Sequence, residues 1–251
     1  MTEGLARQGM ENELTRLKAE LAERERLVAE KERQLEAYAR DLNDTFKEER
    51  ARSAELRDSY VHTVRALTNA VEARDAYTGK HAERVAAYGL ELARVIDARL
   101  AGDPQSEMGF LLHDIGKVAI PDGILHKPEP LTDEERTLVR RHPVIGEQIL
   151  QGIPFLDAAR AVVRHHHERW DGTGYPDGLS GEEIPLSARV FAVADALDAM
   201  TTDRPYRSAT TLGAARVAIA AGAGSQFDPR VVDAFETVAD ETLERLRREI
   251  G

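Results

Sequence analysis

The chain has 251 residues, 42% of them hydrophobic and 31% charged, enough to build one sizeable core, or a core plus an extension, under a well-solvated surface. Its 45 acidic against 34 basic residues, a net charge of −11, exclude a protein that coats nucleic acid or an anionic membrane through bulk charge. There is no cysteine for a disulfide or a thiolate metal site, no apolar run near the roughly 18 to 20 residues of a membrane span, and no basic-then-apolar signal in MTEGLARQGM, so a cytoplasmic location is expected.

Up to residue 58, apolar residues recur every seven positions: Leu14, Leu21, Val28, Leu35, Leu42 and, past Glu49, Leu56. A 3.5-residue period keeps one seam facing a partner and predicts a left-handed coiled coil. The second seam, Leu17, Arg24, Lys31, Tyr38, Thr45, Arg52 and Ser59, is poor, so residues 1–58 predict a parallel homodimer of modest stability, with a solvated lone helix as the alternative. No Pro or Gly interrupts residues 10–78, so the helix is expected to enter the next domain, 59–251, without a flexible linker and to transmit a rotation or shift into it.

From residue 59 the period widens to that of globular helices. Val61, Val64, Leu67 and Val71 form one stripe, and Val85, Tyr88, Leu92 and Ile96 another. In LTDEE, Thr132 is an N-cap with Glu135 completing a capping box, and Pro143, Pro185 and Pro229 suit first helical turns. Leu186, Val190, Val193, Leu197 and Met200 line one face of the helix after Pro185. No convincing alternating strand is found, so the fold class is all-α, a helical bundle preceded by a long helix.

The ligand-rich segments come at helix ends. FLLHDIGK, residues 110–117, puts His113 and Asp114 at the close of an apolar run. A carboxylate has two oxygens and can bridge two metals while the adjacent imidazole binds one of them; the alternative is a helix end with His113 bonded to backbone and Asp114 paired to Lys117. VVRHHHERWDGTGYPDGL, residues 162–179, sets three histidines against a glycine-rich loop. His81, with Thr78 as a plausible N-cap, opens a helix; His142 precedes Pro143, and Asp195 sits on the 186–200 helix. Imidazole plus carboxylate without thiolate favours iron, manganese, zinc or a similar metal.

These residues fall in longer motifs: RDAYTGKHAERV, LLHDIGKVAIPDGILHKPEPLT, HPVIGEQIL, HHERWDGTGYPDGLSGEEIP, ARVFAVADALDAMTTDRPYR and SQFDP. Across about residues 59–240 the chain resembles the HD-GYP family, the cyclic di-GMP phosphodiesterase subgroup of the HD-domain metallohydrolases. The resemblance implies a binuclear centre on His81, His113, Asp114, His142, His166, His167 and Asp195. Asp114 would bridge, His81, His113 and Asp195 would complete one metal, and His142, His166 and His167 the other, leaving His165 spare. It implies two divalent ions per chain, iron foremost, with manganese or another divalent metal next. Gly174, Tyr175 and Pro176 would form the signature loop beside cyclic di-GMP, a loop also proposed to meet messenger-synthesising proteins.

Two cations suit the hydrolysis of an anionic phosphodiester. Lys117 can reach the scissile phosphate or protonate the leaving 3′-oxygen, its alternative being a salt bridge to a carboxylate. Arg204 and Arg207 in DRPYR offer forked donors to the second phosphate or a guanine edge. Three positions depart from the family pattern. Lys80 and Glu129 stand where glycine is common, and Tyr77 stands where some members carry a third-metal glutamate, which implies two metals and linear pGpG as main product. A phosphodiesterase for another cyclic dinucleotide such as cyclic GMP-AMP, and a messenger-binding or partner module without turnover, are the alternatives.

Overall fold

A computed structural model describes residues 2–74, 80–203 and 208–250, with side chains from Met10 onward. Tyr77, Thr78, Gly79, Arg204 and Arg207 lie outside the described residues. The chain divides into two compact units, Met1–Asp58 and Ser59–Gly251. Helix α1 (Thr2–Glu72) supplies all of the first unit and opens the second. In the first unit Leu14, Leu21, Val28, Leu35, Leu42 and Leu56 are each more than half exposed, so the heptad stripe is uncovered by this chain. Much of the rest of that surface is Glu, Lys and Arg, good helix formers that pair at i,i+4, as Arg16 does with Glu20 at 3.6 Å.

The second unit adds α2 (His81–Ile96), α3 (Ala98–Gly102), α4 (Pro104–Leu112), α5 (Asp122–Leu125), α6 (Asp133–Val139) and α7 (His142–Leu150). It continues with α8 (Ala159–His165), α9 (Leu186–Thr201), α10 (Leu212–Ala221), α11 (Pro229–Thr237) and α12 (Asp240–Ile250). The described residues hold no strand, only an isolated bridge between Ala223 and Phe227, so the all-α expectation holds. None of their helices is long and apolar enough to cross a membrane.

The core lies where α2, α4 and α9 meet. Tyr88 and Leu92 of α2, Phe110 and Leu112 of α4, and Phe191 and Leu197 of α9 are at most 2% exposed. A Cβ on Gly89 would come within 2.7 Å of the Phe110 ring, so the bare glycine lets α2 and α4 close on each other. The expected capping box is present, with Thr132 accepting from the Glu135 N–H, and Pro229 opens α11 behind Asp228, which accepts from the Arg230 N–H.

Two local expectations need correction. Leu67 is 49% exposed, and Thr68 takes the buried place in the stripe, its hydroxyl donating to the Leu111 carbonyl at 3.1 Å. A four-residue step turns Thr68 only about 40° from Val64, so a polar residue with a local acceptor wins the inward position. The N-cap of α2 is Lys80, in a left-handed conformation at φ 58° with no side-chain cap. Glu129, the other position where glycine is common in the family, has no positive φ, since Lys80 alone among the described non-glycine residues has one.

Candidate metal centre

The site is assembled by helix ends. His113 follows α4, His142 opens α7, His166 follows α8 and His81 opens α2, while Asp195 lies in the middle of α9. At a helix C-terminus the carbonyls have no intrahelical partner and must be satisfied otherwise. His113 Nδ1 donates to the Phe110 carbonyl at 2.9 Å, and His166 Nδ1 to that of Val163 at 2.9 Å. His142 Nδ1 donates in the same way to Val139, at 2.7 Å. A carbonyl only accepts, so each hydrogen bond puts the proton on Nδ1 and leaves a lone pair on Nε2.

Those Nε2 atoms converge on Asp114. Its Oδ2 lies 3.1 Å from His113 Nε2 and 2.8 Å from Lys117 Nζ. Its Oδ1 lies 3.2 Å from His142 Nε2 and 3.9 Å from His166 Nε2. The two oxygens of one carboxylate therefore face two different histidine groups. Burial by itself would raise the Asp114 carboxyl, but the Lys117 ammonium foremost holds it well below the usual carboxylate range.

His142 Nε2 and His166 Nε2 stand 3.1 Å apart. With both protons fixed on Nδ1, two lone pairs face each other, an arrangement that a cation between them makes favourable. Ligand atoms of His142, His166 and His167 all lie within 4.8 Å of one another. Burial first, then neighbouring imidazoles, depress His166 well below its ordinary value, and the same causes push His167 down to about 3. Neutral imidazoles around a carboxylate are the donor set of a divalent metal ion, and these residues fit one.

His81 is held differently. Its Nδ1 hydrogen-bonds Asp198 at 2.7 Å, and its Nε2 lies 3.5 Å from Asp195 Oδ1. Asp198 is 1% exposed and is gripped by Arg84, Nε to Oδ1 at 2.6 Å and Nη2 to Oδ2 at 3.1 Å. Burial lowers the His81 pKa, but Asp198, Asp195 and Asp114 outweigh it and raise it, so this corner favours positive charge. Sequence reading missed Asp198 and Arg84. The signal was there, because Asp198 shares the buried stripe of α9 with Ala194, Leu197 and Thr201, where a carboxylate needs a partner. Glu72 was missed as well; its carboxylate accepts from the Ala82 N–H at 2.8 Å, and burial raises its pKa.

Cavities open on both sides of the centre. One of about 580 Å³ is lined by Glu72, His81, Asp114, Lys117, Leu125 and Asp203. Another of about 400 Å³ is lined by Arg140, His167, Tyr175, Asp195, Met200 and Gln226. In the second, the Tyr175 ring stacks on His167 with centroids 4.7 Å apart, and the Arg140 guanidinium lies 5.2 Å from the Tyr175 centroid. Gly174 allows this approach, because a Cβ there would meet the Arg169 amide nitrogen at 2.4 Å and the His167 carbonyl oxygen at 2.6 Å. The Tyr175–Pro176 peptide is cis. His165 joins neither cavity wall and faces Asp177, 3.5 Å away.

Comparison with known proteins agrees with this architecture. The HD domain profile matches residues 65–231. The cyclic di-GMP phosphodiesterase response regulator RpfG of Xanthomonas campestris pv. campestris (strain 8004) is 42% identical over 187 residues, covering 72% of this chain and 48% of that protein. The 3'3'-cGAMP-specific phosphodiesterase 2 of Vibrio cholerae serotype O1 is 38% identical over 216 residues, 83% of this chain and 40% of that protein. This chain thus spans half or less of the length of these curated relatives. A crystal structure of a cyclic GMP-AMP-specific phosphodiesterase of V. cholerae shares the fold, with a TM-score of 0.54 at 19% identity, over 74% of this chain and 52% of that one. With the profile spanning most of the second unit and relatives well above 30% identity, the chain belongs to the HD domain family, in its HD-GYP branch.

Proposed function

We propose that the chain is a metal-dependent phosphodiesterase that hydrolyses cyclic di-GMP to linear pGpG, with any conversion to GMP slower. The observation that carries this reading is the split of Asp114, with Oδ2 toward His113 and Oδ1 toward His142 and His166. In this reading His81, His113 and Asp195 would hold one metal and His142, His166 and His167 the other, with Asp114 serving both. Two divalent cations, iron foremost and manganese next, would supply the charge that binds a phosphodiester oxygen and makes water acidic enough to attack near neutral pH. Tyr77, in place of a glutamate, supports two ions rather than three, since a phenol with a pKa near ~10 is a poor ligand at neutral pH.

The chain's own groups do the remaining work. Lys117 Nζ, 2.8 Å from Asp114 Oδ2, would meet the scissile phosphate and give a proton to the departing 3′-oxygen. Tyr175 stacked on His167 gives a base a flat surface beside the centre, with Gly174 and Pro176 shaping the backbone around it. Arg204 and Arg207 serve the second phosphate or a guanine edge.

The first unit, in this reading, is a dimerisation and signalling helix. Its uncovered stripe at Leu14, Leu21, Val28, Leu35 and Leu42 supports a parallel homodimer that receives its input from a sensor or a messenger-synthesising partner. A cytoplasmic location accompanies it, as does the absence of cysteine.

Anaerobic loading with Fe(II) or Mn(II), followed by chromatography of the products from several cyclic dinucleotides, tests the substrate and product. Linear pGpG from cyclic di-GMP is expected. Preferential hydrolysis of cyclic GMP-AMP would move the chain to the second reading, which the 38% identity to a cGAMP-specific relative keeps in view. Binding without turnover would make it a messenger-binding module.

A further inference from the structure

The histidine left over from the main centre has its own acidic surroundings. His165 Nδ1 lies 3.5 Å from Asp177 Oδ2 and 4.0 Å from Glu168 Oε1. Ligand atoms of His165, Glu168 and Asp177 all fall within 4.8 Å of one another. The Glu168 side chain is fully buried at 0% exposure, and the His165 side chain is 15% exposed. Glu168 Oε1 accepts from the Asp177 and Gly178 amides, at 2.8 and 3.1 Å. Its other oxygen, Oε2, has no hydrogen-bond partner, nor does His165 Nδ1.

Two unpartnered, buried polar atoms in one cluster are unusual, because a carboxylate oxygen taken from water without a donor is strongly disfavoured. In native proteins such atoms mark a water or an ion. A proton on His165 does not answer for them, because 3.5 and 4.0 Å exceed hydrogen-bond length. Charge points the same way. Arg160 and Arg164 pair with Glu147, and Arg164 with Asp177, so these two cations are matched by two carboxylates, while Glu168 faces the His165 imidazole. The Glu168 carboxylate is left room for a positive charge. Arg164 holds both oxygens of Asp177, at 2.7 and 2.8 Å, which orients that carboxylate as outer partners commonly orient metal-ligating ones.

We propose that His165, Glu168 and Asp177 form a second metal site, separate from the Asp114 centre, for a divalent transition ion of the zinc type. One imidazole nitrogen and two carboxylates suit zinc, with water at a fourth position, and offer too few oxygens for calcium. The ion ties the last turn of α8 to the loop that carries Tyr175, because Glu168 and Asp177 flank Gly174, Tyr175 and Pro176 in the chain. Its occupancy therefore sets how firmly Tyr175 is held against His167.

The full chain is equilibrated with Zn(II), freed of unbound metal and assayed by elemental analysis, alongside His165→Gln and Asp177→Asn. Each variant is expected to carry one zinc fewer per chain than the parent. Crystals of the unaltered protein soaked in Zn(II) are expected to show an anomalous peak about 2.0–2.1 Å from His165 Nδ1, apart from any peak at Asp114. If a variant fails to fold by circular dichroism, the anomalous map of the unaltered protein decides. Equal zinc content in parent and folded variants, or a map with density at Asp114 alone, overturns the site.

Discussion

Asp198 shows how much rests on a residue that touches no candidate metal. It fixes His81 through Nδ1 and is itself neutralised by Arg84 on a buried stripe of α9. Asp198→Asn keeps the shape but weakens the acceptor for His81, and metal affinity should fall about 10- to 100-fold, the usual effect of losing an outer-shell partner, as read by metal titration. Asp198→Ala in addition leaves Arg84 buried and unpaired, and should cost roughly 3–5 kcal/mol in denaturant unfolding. Asp114→Asn should do more to chemistry than either, abolishing turnover and sharply lowering metal content, since an amide bridges two cations poorly; a variant that kept both metals and its rate would refute the bridge. Lys80 is the opposite case, a residue whose replacement should help. At φ 58° it carries a left-handed strain that glycine does not, so Lys80→Gly should stabilise by up to about 1 kcal/mol after the entropy glycine adds to the unfolded chain. A drop in thermal midpoint would show that the Lys80 side chain contributes more than its backbone costs.

Among the elements, α7 and the 3-10 turn Ile115–Ala119 are locked by a missing side chain. A Cβ on Gly116 would stand 2.0 Å from the His142 carbonyl oxygen and 2.6 Å from the Gly146 amide nitrogen, both backbone atoms that cannot rotate away. Gly116→Ala must therefore push α7 off, destabilising by about 1–3 kcal/mol as overpacking does and drawing His142 away from Asp114. The unfolding midpoint and the metal content should fall together; loss of one without the other would separate packing from the site. Between α7 and α8, Glu147 takes hydrogen bonds from Arg160 at 2.6 Å and Arg164 at 2.7 Å. Burial pushes its carboxyl up, but the two guanidiniums outweigh this and leave it below its ordinary 4.5. A depressed folded value means the unfolded chain binds the proton first. The stabilisation is therefore complete above about 4.5 and is lost as pH falls through the lower folded value. Thermal midpoints of Glu147→Gln should lie below the parent's at neutral pH and approach them in acid; a constant gap would deny the linkage.

For the molecule as a whole, assembly is the open quantity that the first unit makes measurable. Leucine side chains left more than half exposed along α1 should associate, so light scattering at tens of micromolar, about the range in which a coiled coil of this length pairs, should find a dimer. A chain starting at Ser59 should dissociate more readily. A monomeric full chain would leave the heptad stripe as the face of a solvated helix.

What the sequence determined by itself is whatever depends on local spacing. The 3.5 and 3.6 periods gave the helices, Thr132 with Glu135 and Asp228 with Pro229 gave their starts, and the clustered histidines with Asp114 and Asp195 marked the candidate site and the family. Motif spacing could list those seven residues but not say which oxygen of Asp114 faces which imidazole, because α2, α4, α7, α8 and α9 meet only when the core around Phe110 and Phe191 closes. Only tertiary packing put Asp198 behind His81 across 117 positions of sequence, sank Thr68 in place of Leu67, and brought Glu72 beside the centre. It also gave His165 its own acidic neighbours, Glu168 and Asp177, where the sequence had left it without a role. Long-range pairing of this kind carries no period for a sequence to display; it is decided by which buried polar atoms find partners once the helices have packed.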